Sequence, residues 1–160
     1  MVRKITDPIS KVTIPMQYNS YYQLLVQNIH NLKNCDILIM TAFLGYRKGR
    51  QTHIDDITDK NVKRTEIRAE YLDEYQSWIY LILNHITEGQ LFKDYENESE
   101  NFGRLMNGPF LDYANAGMDL LIENVLSDYI DDNGAVKVNI YHLEERVMQY
   151  LWDEIHDVPF

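Results

Sequence analysis

The sequence has little of the material from which the most recognisable functional sites are built. It has one cysteine, Cys35, so a disulfide within the chain is excluded and a cysteine-based zinc site is not expected. Its seven glycines are scattered, and it contains no Gly-Lys-Ser/Thr tripeptide, no Gly-x-Ser-x-Gly elbow and no His-Glu-x-x-His motif. The sequence therefore indicates no cofactor, no metal and no catalytic residue, and it favours a non-enzymatic role.

Long apolar runs are also missing. The longest, residues 37–44, is interrupted at Thr41 and is far too short to cross a bilayer. The N-terminal residues carry charges without an apolar run after them, which does not match a signal peptide. These features, with the single cysteine, predict a cytoplasmic protein that has no membrane partner.

What the sequence does contain predicts one packed domain. Of its 160 residues, 45% are apolar and 12% are aromatic, which is enough to bury a core without disulfide support. Twelve of the residues are tyrosines. A tyrosine ring suits both the half-buried seams of a core and a protein interface, so both uses stay open.

Hydrophobic periodicity predicts a mostly α-helical α+β fold, a compact domain of about five helices with a few short strands. Residues 1–10 are expected to form a flexible arm, and residues 11–160 a single mostly helical domain. Polar residues 51–64 predict a long loop, and residues 93–101 predict either a loop or the start of another helix. The predicted strands cover residues 11–15, 67–72 and 136–140. The first predicted helix begins at residue 19 or 20 and ends near 32, and the second begins at residue 34 or 36 and ends near Gly45 or Gly49. The others cover residues 73–87, residues from 109 to as far as 129, and residues 142–155.

Charge is divided unevenly along the chain. Residues 1–69 contain eleven Lys/Arg and six Asp/Glu, a net charge of +5, whereas residues 70–160 contain four and nineteen, a net charge of −15. The basic part suits phosphate or an acidic partner, and the acidic part repels nucleic acid at close range. The alternative, that the charges serve only solubility, stays open.

The best candidate for a binding surface is a basic set that follows the second predicted helix. Point charges on a loop can contact phosphate groups without reading a base sequence. We predict that this set contacts either DNA or an acidic protein partner. Its members are Arg47, Lys48, Arg50, Lys63 and Arg64.

Two alternative functions stay open. In the first, Lys11 and Thr13 point outward from the first strand, as in ribbon-helix-helix DNA-binding regulators, where paired strands from two chains enter the major groove. This arrangement requires a homo-oligomer. In the second, Arg47 and His53 have about the spacing of the Arg and His pair in small helical ribonucleases of the HEPN type.

Two further features have simple structural interpretations. His53 with Asp55 and Asp56 offers three metal-ligating side chains, but a solvated loop is the simpler interpretation. Cys35 is followed by Asp36, whose carboxylate raises a thiol pKa, so we expect a small buried hydrophobic residue and not a nucleophile.

Three stretches together resemble one protein family. They are Lys11-Val12-Thr13-Ile14-Pro15, Thr41-Ala42-Phe43-Leu44-Gly45-Tyr46-Arg47-Lys48-Gly49-Arg50 and Asp112-Tyr113-Ala114-Asn115-Ala116-Gly117-Met118. Their order and spacing are similar to those of the small accessory proteins encoded beside bacterial DNA phosphorothioation clusters, the family named Dnd system-associated protein 4. Ile67-Arg68 also falls where that family has a short Ile-Arg segment. The resemblance covers roughly residues 11–125.

The resemblance implies an accessory role in antiviral defence linked to DNA modification, with a larger protein component as partner. It assigns no catalytic residues. Independently of the family, the small residues Ala114, Ala116 and Gly117 would allow a second backbone to approach the helix that carries them. Packing within the core is the default explanation, and a contact between subunits is the alternative.

Overall fold

The computed structural model describes residues 11–55, 64–88, 103–137 and 139–156, without the side chain of Ile155. These residues form five α-helices and one two-stranded antiparallel sheet, which confirms the predicted mostly helical α+β fold. The predicted arm, residues 1–10, and residues 93–101 lie outside the described residues. The elements are β1 (Lys11–Thr13), α1 (Asn19–Asn28), α2 (Asn34–Lys48), β2 (Glu66–Arg68), α3 (Gln76–Ile86), α4 (Leu111–Asn124) and α5 (Leu143–His156).

Helix α2 lies at the centre of the core, as its apolar sequence predicts. Ile37, Leu38 and Ala42 are completely buried. The helix begins where the Asp36 carboxylate accepts a hydrogen bond from the backbone N–H of Lys33, at 2.9 Å. It ends at Gly49, whose φ of 64° is the left-handed conformation that glycine adopts without a Cβ penalty.

Helices α2 and α4 cross with their backbones in direct contact. An ideal Cβ on Gly45 would lie 2.0 Å from the carbonyl oxygen of Tyr113, and one on Gly117 would lie 1.8 Å from that of Thr41. Only glycine fits at either position. The small residues of α4 therefore serve packing within the core, which confirms the default explanation.

The sheet covers one edge of this core. Lys11 pairs with Arg68, Val12 with Ile67, and Thr13 with Glu66. Val12 and Ile67 are buried, as the alternation of polar and apolar residues predicts for β1. The Nζ of Lys11 lies 2.8 Å from Oε1 of Glu66, so the outer face of the sheet carries its own ion pair.

The prediction of a strand over residues 67–72 is wrong beyond Arg68. Ala69–Tyr75 forms a 3₁₀ helix that leads into α3, which therefore begins at Gln76 and not at residue 73. Ala69 and Leu72 are both buried while Tyr71 is 55% exposed. A spacing of three residues between inward side chains fits a 3₁₀ turn, whereas a strand would place residues 69 and 71 on one face.

Two predicted helices are shorter in the structure. Helix α1 ends at Asn28 and not near residue 32, because Ile29 is extended and Asn31 has a φ of 61°. Helix α4 begins at Leu111, after a π-helical turn, Met106–Phe110, that contains Pro109. It ends at Asn124, and a separate 3₁₀ turn, Leu126–Tyr129, follows.

The prediction of a strand over residues 136–140 is also wrong for the described residues. Val136 forms only an isolated bridge with Ile130. The turn predicted at residues 131–134 brings these two together, because the Asp131 N–H donates to the Ala135 carbonyl at 2.8 Å. Val136 is 41% exposed, so the described residues leave this side of the hairpin largely uncovered.

The length and composition of the helices decide whether any of them could cross a membrane. Within residues 11–55, 64–88, 103–137 and 139–156, no helix combines the length and the apolar character that crossing a bilayer requires.

Candidate partner-binding site

The members of the predicted basic set lie in two different places in the structure, at the end of α2 and ahead of β2. Arg47 and Lys48 lie in the last turn of α2, and Arg50 follows its glycine cap. Arg64 is half-buried ahead of β2, and Lys63 lies outside the described residues.

Two members of this set are engaged by acidic residues from the second half of the chain. The Nζ of Lys48 lies 2.5 Å from Oε2 of Glu154 on α5, and Nη2 of Arg50 lies 3.8 Å from Oε1 of Glu123 on α4. The Arg50–Glu123 pair is exposed and contributes at most about 1 kcal/mol, whereas the Glu154 side chain is largely buried; both pairs lower the positive potential that phosphate would meet. The basic set is therefore partly neutralised within the chain.

Between α2 and α5 lies an apolar groove of about 590 Å³, which we call the α2–α5 groove. It exists because α2 is covered by α4 on its glycine face, while the opposite face is only half-buried. The lining residues on α2 recur at helical spacing, so they form one stripe. They are Met40, Phe43, Leu44, Tyr46 and Arg47 on α2, with Leu151 and Glu154 on α5.

Aromatic rings widen this apolar surface toward α3. The rings of Phe43 and Trp78 meet edge to face, with centroids 5.6 Å apart and planes at 83°. Trp78 is 56% exposed. A half-covered tryptophan beside an apolar groove is a common feature of protein interfaces, where tryptophan supplies much of the binding energy.

Helix α5 forms the far wall of the groove, and one stripe of apolar side chains packs it against the core. Leu143 and Val147 are buried, and Leu151 is half-buried one turn further on. The opposite face of α5 exposes Met148 and Trp152. Helix α5 thus has apolar residues both inside and outside its packed stripe.

Residues 51–55 have no regular secondary structure, in agreement with the predicted loop, and hydrogen bonds hold them against α4; residues 56–63 of that predicted loop lie outside the described residues. The backbone N–H of Thr52 donates to the Asp112 carbonyl at 2.9 Å, and its hydroxyl donates to Oδ2 of Asp119 at 3.0 Å. Nδ2 of Asn115 donates to the Thr52 carbonyl at 3.1 Å, and the hydroxyl of Tyr18 donates to Oδ1 of Asp119 at 2.8 Å. One polar edge of α4 therefore positions residues 51–55.

His53 lies at the end of this polar edge. Its Nδ1 lies 3.2 Å from Oδ1 of Asp112, and its Nε2 lies 3.0 Å from Oδ1 of Asp55. The Asp112 carboxylate, with a smaller contribution from Asp55, raises the pKa of His53. Because both ring nitrogens face carboxylates, the protonated imidazolium is favoured. This opposes a general-base role for His53 in the Arg47–His53 ribonuclease alternative. Asp56, the third residue of the proposed metal group, lies outside the described residues.

The strand pairing in the structure opposes the ribbon-helix-helix alternative. It needs β1 to pair with the same strand of a second chain. In the structure, β1 pairs with β2 of its own chain. Lys11, which would face DNA, lies against Glu66.

Cys35 is buried, as its position predicts. Burial, followed by the neighbouring Asp36 carboxylate, raises the pKa of its thiol. Among the described residues, Cys35, Asp36 and Glu74 are the one group with ligand atoms close enough for a metal, within 4.8 Å of one another. The Tyr75 hydroxyl already donates to Asp36, so hydrogen bonding accounts for this cluster.

Comparisons with known proteins add no relative, because no family model, no curated protein and no solved structure matches this chain. The structure does bring together two of the three stretches on which the resemblance depends. Their glycines, Gly45 and Gly117, meet at the crossing of α2 and α4.

Sequence reasoning identified Arg47 and Lys48 but missed the apolar part of the groove. Met40 and Phe43 were expected inside the core, because α2 is apolar on nearly all sides. The sequence feature that could have predicted the groove is the narrow apolar stripe of α5. Its apolar stripe of Leu143, Val147 and Leu151 is too narrow to cover that face of α2.

Proposed function

We propose that this chain is a non-enzymatic accessory or adaptor subunit of a bacterial antiviral defence system linked to DNA phosphorothioation. It acts in the cytoplasm by protein–protein contact with a larger component of that system. The resemblance of the three sequence stretches supports the biological setting. The α2–α5 groove is the structural observation that supports an adaptor role.

The groove suits an amphipathic helix from the partner. Such a helix inserts a row of apolar side chains into a groove, and the residues at its edges determine its orientation. Met40, Phe43 and Leu151 supply the apolar floor, and Trp78 extends it. Exposed aromatic and methionine side chains are enriched at interfaces of this kind.

Charge at the groove favours an acidic residue on that helix. The ionisable residues at the groove are Arg47, Lys48 and Glu154, so basic charge exceeds acidic charge by one. An acidic residue on the partner helix would therefore complement the charge of the groove. Contact with DNA through Lys48 or Arg50 is less well supported, since each lies against a carboxylate of its own chain.

The test is affinity capture of the tagged protein from its native cells, followed by mass spectrometry. We expect stoichiometric recovery of a larger ATPase, nuclease or modification enzyme with the unaltered protein. Recovery should fall with Phe43→Ala, which removes the aromatic floor, and with Arg47→Glu, Lys48→Glu and Arg50→Glu. Each variant is first checked for unchanged thermal unfolding.

Two matched variants serve as controls. Met148→Ala removes an exposed apolar side chain on the opposite face of α5, and Arg104→Glu reverses an exposed charge away from the groove. Both should retain the partner. Equal capture by the groove variants and the controls would refute the proposed docking site. Recovery of the protein alone, as a homo-oligomer by light scattering, or with DNA only would refute the adaptor role.

A further inference from the structure

Tyr46 borders the α2–α5 groove and also a second cavity with different chemistry. This cavity has a volume of about 790 Å³ and lies among the end of α2, the end of α3 and the beginning of α4. It is polar on one side and aromatic on the other. The side chains that give it this character are Tyr46, Gln51, Asn84, His85, Glu88 and Tyr113.

In this cavity the Tyr46 ring contacts two other rings edge to face. The Tyr46 and His85 centroids lie 5.1 Å apart with planes at 87°, and the Tyr46 and Tyr113 centroids lie 5.6 Å apart with planes at 77°. Edge-to-face packing turns neighbouring ring faces in different directions. Tyr46 and Tyr113 therefore bring two differently oriented rings to this cavity, and the electron-rich faces of such rings attract cations.

The charges around the cavity also favour a cation. Glu88 supplies an exposed carboxylate, and among the described residues no lysine or arginine lines the cavity. Helices α2 and α3 both end there, but their partial negative charges do not add to this preference, because Arg47 and Lys48 lie in the last turn of α2 and His85 lies in that of α3. Helix α4 begins there and contributes the opposite partial charge, but Asp112 in its first turn offsets it.

We infer that this cavity binds an organic cation, either a guanidinium or an alkylammonium group. The rings of Tyr46 and Tyr113 contact the cation, Glu88 neutralises it, and the side-chain amides of Asn84 and Gln51 accept its hydrogen bonds. The cation is an arginine or lysine side chain of a partner chain, or a free small molecule with the same group. The site stands whether or not the α2–α5 groove binds a partner helix.

The test is a titration followed by nuclear magnetic resonance of the tyrosine rings. The probes are N-acetyl-arginine amide, the uncharged isostere N-acetyl-citrulline amide, and sodium acetate as an anion. We expect saturable shifts of the Tyr46 and Tyr113 ring signals with the arginine probe. Its affinity should exceed that of the citrulline probe about three- to thirtyfold, the range of a single cation–aromatic contact.

Substitutions separate the contributions of Glu88 and Tyr113 to binding of the arginine probe. Glu88→Gln keeps the shape and should weaken the arginine probe about threefold or more, and Tyr113→Leu should weaken it further. Glu144→Gln, which removes an exposed carboxylate on α5, should leave binding unchanged. A short alanine-based peptide with one arginine then identifies the source. Binding of the peptide indicates a partner chain, and binding of the free amide alone indicates a small molecule.

The inference is overturned by equal affinities for the arginine and citrulline probes, by no saturable shift, or by tighter binding of acetate. It is also overturned if Glu88→Gln and Tyr113→Leu, both still folded by their amide spectra, bind the arginine probe as the unaltered protein does. None of these outcomes depends on capture of a protein partner.

Discussion

Substituting Gly117 by alanine should destabilise the protein although alanine is the better helix former. The added Cβ would lie 1.8 Å from the carbonyl oxygen of Thr41, roughly 1.5 Å short of the 3.4 Å at which ordinary van der Waals contact begins. The clashing atoms belong to the backbone of α2, which cannot rotate away as a side chain can. Helices α2 and α4 must therefore separate.

The magnitude follows from two opposing contributions. Overpacking a core costs about 1–3 kcal/mol, and a clash with backbone belongs at the upper end of that range. Alanine gains about 1 kcal/mol over glycine in a helix interior. We expect a net loss of about 2 kcal/mol in the free energy of unfolding. Gly45 contacts α4 at the same crossing. Gly45→Ala should therefore lower the free energy of unfolding less when it is added to Gly117→Ala than when it is made alone.

Urea denaturation followed by circular dichroism measures this loss. Gly49→Ala is the comparison, since Gly49 has open space around it but a φ of 64°. It should lose about 1 kcal/mol from backbone conformation alone. If Gly117→Ala were as stable as the unaltered protein, or more stable, the close backbone contact between α2 and α4 would be refuted.

Two further predictions concern titratable groups. The raised pKa of His53 means that its stabilising contribution is fully present below the unfolded pKa of about 6.5 and is lost as pH rises through the folded value. The difference in unfolding free energy between the unaltered protein and His53→Gln should therefore shrink between about pH 5.5 and about pH 8.5; a difference that grows would contradict the pairing with Asp112. Cys35 is 4% exposed, so a thiol reagent should modify it at least about a hundredfold more slowly in the native protein than in urea. Modification at equal rates would show that Cys35 is accessible.

The fold could be read largely from local sequence patterns. The two candidate caps, the apolar run and the two candidate glycine ends located α2, and the structure selects Asn34 as its start and Gly49 as its cap. Alternation located β1 with Val12 inward. The failures occurred where tertiary contacts override local preference. Ile67 and Tyr71 favour a strand, yet burying both Ala69 and Leu72 requires a 3₁₀ turn.

The candidate site was less predictable, because it depends on contacts between residues far apart in sequence. Thr52 reaches Asp119 across 67 positions, and Lys48 reaches Glu154 across more than a hundred. No local pattern records such pairings, so the segment after Arg50 resembled a solvated loop. The groove is a shape that arises only when α5 packs against one side of α2.

The ion pairs also explain how the uneven charge of the chain is used. Lys48 and Arg50 from the basic half lie against Glu154 and Glu123 from the acidic half, while Lys11 lies against Glu66. These contacts use basic charge internally, and the chain keeps a net charge of −10. A surface of that sign repels the phosphate backbone and slows its approach. The proposed protein partner therefore suits this molecule better than DNA does.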